Sequence, residues 1–171
     1  MTSYCDLAAG HPFHGPYHDR EYGFPIHDDN ELFERLVLEI NQAGLSWLTI
    51  LKKREAFREA YAGFDIAKVA RLSPEKLLRH QGIIRNRLKV AAAIENAKRL
   101  RKLGSFARWL EEHHPLTKEE WVKLFKKTFV FTGGEITGSF LMSIGYLPGA
   151  HEESCPVHGK ALRAGARWRS A

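Results

Sequence analysis

Two cysteines stand near opposite ends of this 171-residue chain, each with a histidine close by: Cys5 with His18, and His151 with Cys155. Thirteen positions separate the first pair and four the second, so a metal held by all four would tie the first and last parts of the fold together. Thiolates and imidazoles are zinc ligands. Four of them in tetrahedral array leave no position for water, so the expected metal is one structural zinc per chain, not a catalytic one. His11, His14, His27 and His158 lie near these residues, and Cys155 to His158 is itself a C-x-x-H pair. Surface histidines and buried thiols without metal are the plain alternative.

The N-terminus lacks a basic region followed by a continuous apolar run, and no stretch is long enough to cross a bilayer. A cytoplasmic location with no membrane partner is therefore expected, and in a reducing compartment metal ligation suits two distant cysteines better than a disulfide. The length suits a single domain over residues 1–171, with the clasp built from about residues 1–25 and 148–160. A formal charge of +6 favours anionic partners such as nucleic acid over neutral metabolites.

Helical periods dominate the chain. Asp28 and Glu31 form a capping-box pattern ahead of Leu32, Phe33, Leu36, Val37, Ile40 and Ala43, a broad apolar stripe that Gly44 ends. A second helix starts near Ser46 and runs through Trp47, Ile50, Leu51 and Phe57. Ser73 and Pro74 open a short helix that stops at Gln81–Gly82. A long one follows from about Ile84 to Leu103, with Leu88, Ala91, Ala92, Ile94, Ala97 and Leu100 facing inward. Thr117 and Glu120 cap another, and the last covers Glu135 to Ile144 with Gly145 as its terminating residue. Phe129–Val130–Phe131 is strand-like by composition, but one such run makes no sheet. The expected class is all-α, with a disordered basic tail over residues 160–171 that carries Arg163, Arg167, Trp168 and Arg169.

Two constellations carry chemistry. Glu39 falls at the border of the apolar stripe, one turn after Leu36, where water is partly excluded and a carboxylate needs partners or shifts toward its neutral form. Tyr17, Tyr22 and Trp47 can reach it, and aromatic walls around one acceptor make a pocket for a flat cationic base. A boundary glutamate paired with an arginine is the bland reading. The second constellation is the turn H-Q-G-I-I-R at Gly82, followed by Arg85, Arg87 and Lys89. Two helices meeting at a glycine present backbone N–H groups to a phosphate, contacts that position DNA without reading its sequence.

At these residues the chain resembles the DNA-3-methyladenine glycosylase I family, within the helix-hairpin-helix DNA glycosylase superfamily. The resemblance rests on Y-H-D-x-E-x-G at Tyr17 to Gly23, L-E-x-x-Q-A-G-L-S-W at Leu38 to Trp47, L-K-K-R-E at Leu51 to Glu55, G-I-I-R at Gly82 to Arg85, and H-x-x-x-C at His151 to Cys155. It implies a helix-hairpin-helix glycosylase fold whose N- and C-terminal segments are joined by zinc on Cys5, His18, His151 and Cys155. It also implies hydrolysis of the N-glycosidic bond of 3-methyladenine in alkylated double-stranded DNA by a repair enzyme; with no lysine in the matched motif as an evident Schiff-base nucleophile a monofunctional enzyme is expected, and a monomer suits access to a duplex.

By position, the resemblance gives Glu39 and Tyr17 hydrogen bonds to the excised base, Trp47 a stacking role, and Leu45 entry into the DNA beside the lesion. Gly82, Ile84, Arg85, Arg87 and Lys89 would contact the DNA. Three positions depart from the family: His14 stands where a pocket tyrosine is usual, Tyr22 where a tryptophan is usual, and Leu7 where the C-x-W start has tryptophan. His14 and Tyr22 are thus expected base-binding residues of altered character. Three other functions fit the same residues: a glycosylase of altered lesion range, a hairpin module that binds DNA without releasing a base, and a zinc hydrolase with an open metal position.

Overall fold

The third helix sits at the centre of the molecule because it is buried on every side. All residues from Leu32 to Asn41 in α3 (Asp29–Gln42) are buried, although Glu34, Arg35, Glu39 and Asn41 are among them. A helix with only an apolar stripe would leave those four in water. Its neighbours are α4 (Trp47–Ala60), α7 (Arg87–Leu103), α8 (Phe106–His113) and α10 (Gly134–Ser143).

The computed structural model describes residues 2–168. Eleven α-helices and no strand are found among the described residues. Besides those above they are α1 (Tyr4–Ala8), α2 (His14–Arg20), α5 (Ile66–Val69), α6 (Pro74–Leu78), α9 (Lys118–Thr128) and α11 (Pro156–Arg163). Among the described residues no helix is long and apolar enough to cross a membrane. One contiguous apolar cluster runs from Leu32 to Leu147. At one end of it Phe106, Trp109, Phe125, Phe129 and Phe140 pack ring against ring at centroid separations of 5.3 to 6.1 Å, a geometry that adds to their area burial.

Capping residues fix where the helices begin. Thr117 and Glu120 form the full reciprocal box, whereas at Asp28 only half of the expected box is made: its carboxylate accepts from the Glu31 N–H at 2.9 Å. Ser46 and Ser73 each accept from the N–H three residues on. The long helix starts at Arg87, not Ile84, because the Asn86 side chain accepts from the Lys89 N–H at 3.0 Å and acts as its cap. Leu88, 71% exposed, and Ala91 face outward instead of inward, and Lys89 is buried.

The expected disordered tail is corrected as far as the structure describes it. Residues Pro156–Arg163 are helical, with Val157 and Ala161 buried. The chain then folds back, so that the Arg167 N–H donates to the Gly145 carbonyl at 2.7 Å, Arg167 pairs with Glu111, and Trp168 lies against His158. Residues 169–171, which include Arg169, lie outside the described residues.

Candidate active site

A cavity of about 240 Å³ opens where the N-terminal arm crosses the C-terminal half of α3, lined by Tyr4, Tyr17, Tyr22, Glu39, Gln42, Trp47 and Ser139. It is smaller than the roughly 300–1,000 Å³ of drug-sized sites and suits one small ring system. Glu39 reaches it from inside the buried helix and is 6% exposed. No hydrogen bond to its carboxylate is formed among the described residues, and burial lifts its pKa to about 7 against the opposing pull of Arg35. The Tyr17 hydroxyl and the Trp47 indole N–H are also buried without partners. Tyr17 lies 5.2 Å from Trp47 and 5.6 Å from Tyr22, ring centre to ring centre. An acceptor and two donors left unsatisfied around one aromatic cavity can be satisfied together by a polar, planar guest.

Behind the tyrosines stands a cluster of charges. Arg35, 2% exposed, places its guanidinium 5.0 Å from the centre of the Tyr17 ring and donates to the Ser143 carbonyl at 3.1 Å and to Glu21 at 3.5 Å. Glu21 accepts two 2.7 Å bonds from Arg54, which also donates to Glu34, and Arg58 donates to Glu34 from the other side. Burial alone would raise both glutamates, yet the arginine hydrogen bonds and charges outweigh it and hold them below the usual carboxylate range. Glu39 feels only the charge of Arg35 and accepts no arginine hydrogen bond among the described residues. This cluster fixes the floor under Tyr17 and leaves the pocket acid without a hydrogen-bonding arginine.

The four expected metal ligands do come together. One ligand atom from each of Cys5, His18, His151 and Cys155 lies within 4.8 Å of all the others, with His18 Nε2 at 3.1 Å from His151 Nδ1, Cys155 Sγ at 3.8 Å from His18 Nε2, and Cys5 Sγ at 4.0 Å from His151 Nδ1. Metal–ligand bonds of about 2.0 to 2.3 Å at tetrahedral angles demand ligand spacings of roughly 3.3 to 3.8 Å. The opposite ring nitrogens are spoken for: His18 Nδ1 faces Asp19 Oδ1 at 2.8 Å and His151 Nε2 donates to the Tyr22 carbonyl at 2.5 Å. Each imidazole thereby turns its other nitrogen to the centre, as a ligating histidine does. The residues present fit a metal of this kind. Tyr4 precedes Cys5, Tyr17 precedes His18, and Tyr22 is held by His151, so three pocket walls hang on the clasp.

At the hairpin, Arg79 to Asn86 link α6 to α7. Gly82 is required by proximity: a Cβ there would meet that of Ala56 on α4 at 2.6 Å. Its N–H donates to the His80 ring at 3.1 Å. Ile84 is half-buried, whereas Arg85 and Arg87 are exposed. Lys89 is not a surface cation, contrary to the expectation that it meets DNA. It is 6% exposed, and its Nζ donates to the carbonyls of Asn41 and Ala43 at 2.8 and 2.7 Å. Leu45, 38% exposed, sits in the loop so anchored.

His14 does not line the cavity. It is buried, and its Nδ1 lies 3.0 Å from the hydroxyl of Tyr4, which lines the cavity in its place. Tyr4, Gln42 and Ser139 were not singled out from the sequence. Gln42 carried a signal, being one turn on from Glu39, but the arm brings Tyr4 in and α10 brings Ser139.

Comparison with known proteins gives one consistent result. The family model for methyladenine glycosylase matches residues 8–127. A DNA-3-methyladenine glycosylase of Haemophilus influenzae is 37% identical over 182 residues, covering 91% of this chain and 98% of that protein. Among solved structures, a 3-methyladenine DNA glycosylase I from Staphylococcus aureus, studied for its recognition of 3-methyladenine, superimposes with a TM-score of 0.79 at 31% identity, over 91% of this chain and 96% of the other. A further 3-methyladenine DNA glycosylase I, a tyrosine-to-phenylalanine variant in complex with 3-methyladenine, also gives 0.79, at 30% identity over 90% and 96% of the two chains.

Proposed function

This chain belongs to the methyladenine glycosylase family, and on that premise we propose how its pocket performs base excision. It is a DNA-3-methyladenine glycosylase, acting on alkylated DNA with the helix-hairpin-helix glycosylase fold. A purine alkylated at N3 carries positive charge and is already a good leaving group, so the protein has to recognise the base more than activate it. The nucleotide is extruded from the stack, a step that costs less for a damaged base than for a sound one.

In the cavity the Glu39 carboxylate accepts from the exocyclic amine and faces the ring charge, the Tyr17 hydroxyl supplies a hydrogen bond, and Trp47 and Tyr22 flank the ring. Loss of the base passes through an oxocarbenium-like sugar, to which water adds. No lysine lines the cavity, and Lys89 is committed to two carbonyls, which supports excision without strand cleavage. Arg85, Arg87 and the Gly82 turn would hold phosphates while Leu45 enters the duplex.

The clasp would hold zinc through Cys5, His18, His151 and Cys155. The metal would supply cross-linking of the chain's two ends, with no role in chemistry, since four protein ligands close the site. Free thiols suit a reducing compartment, so cytoplasmic work on double-stranded DNA as a monomer of one folding unit belongs to the same proposal.

The observation that carries this reading is Glu39: buried, without a hydrogen-bond partner among the described residues, and set among aromatic rings in a cavity of single-base size. Titration with free 3-methyladenine tests it. Saturable quenching of the tryptophan emission, lost in Trp47→Phe, is expected for the wild type and not for Glu39→Gln, whereas equal binding by both would remove Glu39 from the site.

A further inference from the structure

We infer that Tyr4, locked in place by His14, is the specificity-determining wall of the cavity, setting how much bulk an alkylated purine can bring into it. The inference rests on the reading of this pocket as the seat of base excision.

Tyr4 begins α1, whose start is fixed by the reciprocal capping bonds of Ser3 and Asp6. Its ring stands edge-on to Tyr22 at 5.2 Å and edge-on to His14 at 5.4 Å, and its hydroxyl is 3.0 Å from His14 Nδ1. His14 is itself immobilised: it is 6% exposed, and its backbone N–H donates to His11 Nδ1 at 3.1 Å. In either imidazole tautomer the hydroxyl is engaged, as donor or as acceptor. Swinging the ring out would strand a buried nitrogen, which costs far more than an exposed bond. Leu7, on the same short helix, is 52% exposed and adds nothing to the cavity lining. The wall on this side is therefore one rigid phenol held at both its edge and its tip.

A fixed ring selects by size. One methylene that must be accommodated in a well-packed pocket changes kcat/KM by roughly 10- to 200-fold. The extra carbon of a 3-ethyl group, or the added exocyclic amine of 3-methylguanine, would press on walls that cannot yield. Removing the Tyr4 ring opens room for such bulk, and removing only its tether lets the ring give way.

The test is release of 3-methyladenine, 3-ethyladenine and 3-methylguanine from methylated and ethylated DNA by wild type, Tyr4→Ala, Tyr4→Phe and His14→Leu. Metal content and thermal unfolding are measured beside it, because Tyr4 adjoins Cys5. Tyr4→Ala is expected to narrow the preference for 3-methyladenine by about tenfold. Tyr4→Phe and His14→Leu should each narrow it less, His14→Leu at least as much as Tyr4→Phe because it also removes an edge contact, and the double variant no further than His14→Leu alone, since the hydroxyl bond is lost in both. If Tyr4→Ala unfolds, the conservative Tyr4→Phe decides. Release by the wild type with unchanged ratios in the folded variants overturns the role of Tyr4 alone. No release of any alkylated base by the wild type overturns the pocket reading, and this inference with it.

Discussion

The Lys89 ammonium lies 2.7 Å from the carbonyl oxygen of Ala43, joining the first turn of the second hairpin helix to the loop that ends the pocket helix. Its second bond, to the Asn41 carbonyl, closes the end of α3 two residues after Glu39. The element proposed to grip the backbone and the element that carries the pocket acid thus share one buried cation.

Replacing Lys89 by methionine leaves those carbonyls without their donor, and a loss of about 2 kcal/mol in stability is expected. Single-turnover excision should fall at least about tenfold through the displaced loop. The salt dependence of DNA affinity should not change, because Lys89 is buried and committed to two carbonyls. Arg85→Ala and Arg87→Ala should each lower the slope of log affinity against log salt by about one while sparing stability. A slope change for Lys89→Met equal to that for Arg85→Ala would restore Lys89 to the DNA contacts.

Glu39 trades stability for function. Its folded pKa is raised from 4.5 to about 7, so the fold is most stable, as far as this group matters, below about pH 4.5, and that stability is lost as pH rises through 7. Glu39→Gln has no charge to desolvate. It should match the wild type near pH 4.5 and exceed it at pH 8 by roughly 3 kcal/mol. Denaturant unfolding at the two pH values checks this, and a variant less stable than wild type at pH 8 contradicts it. The same titration should give kcat/KM of the wild type an acid limb near neutrality, absent from Glu39→Gln.

Tyr17→Phe removes a buried hydroxyl that has no partner. Stability should hold or rise by up to about 1 kcal/mol, while affinity for free 3-methyladenine drops about tenfold for the lost hydrogen bond. Calorimetry on the same samples reads both. A destabilised protein with unchanged base affinity would make Tyr17 a packing residue only.

Cys155→Ser should lose the metal and with it more than about 3 kcal/mol of stability, since a clasp absent from the unfolded chain contributes its binding energy to folding. Excision should fall too, because Tyr4, Tyr17 and Tyr22 hang on the ligand segments. Elemental analysis beside thermal unfolding settles it. Full zinc content in the variant would mean that another residue, or another site, holds the metal.

Much of this arrangement was legible in local patterns. Asp28, Ser46, Ser73 and Thr117 announce helix starts because a cap is a short-range bond, and the Cys/His pairs at the two ends fit one another through ligand chemistry alone. What resisted reading depends on how distant segments cross. A lysine in the first turn of a basic helix reads as solvated, and only the approach of α3 makes Lys89 a buried donor. Tyr4 follows no helical period with the other wall residues, so its place in the cavity comes from the path of the arm. The last helix was hidden by its basic residues, although Pro156 at its first position and the Val157–Ala161 pair, one turn apart, carried the signal.

The most direct measurement is mass-spectrometric identification of bases set free from methylated double-stranded DNA by the intact protein and by Glu39→Gln. Free 3-methyladenine from the wild type, with strands cut only after alkali or heat, and a drop of about a hundredfold or more in the variant at unchanged DNA affinity, is the expected result. Equal release by the two proteins, or no free base from either, would contradict a catalytic pocket built around Glu39.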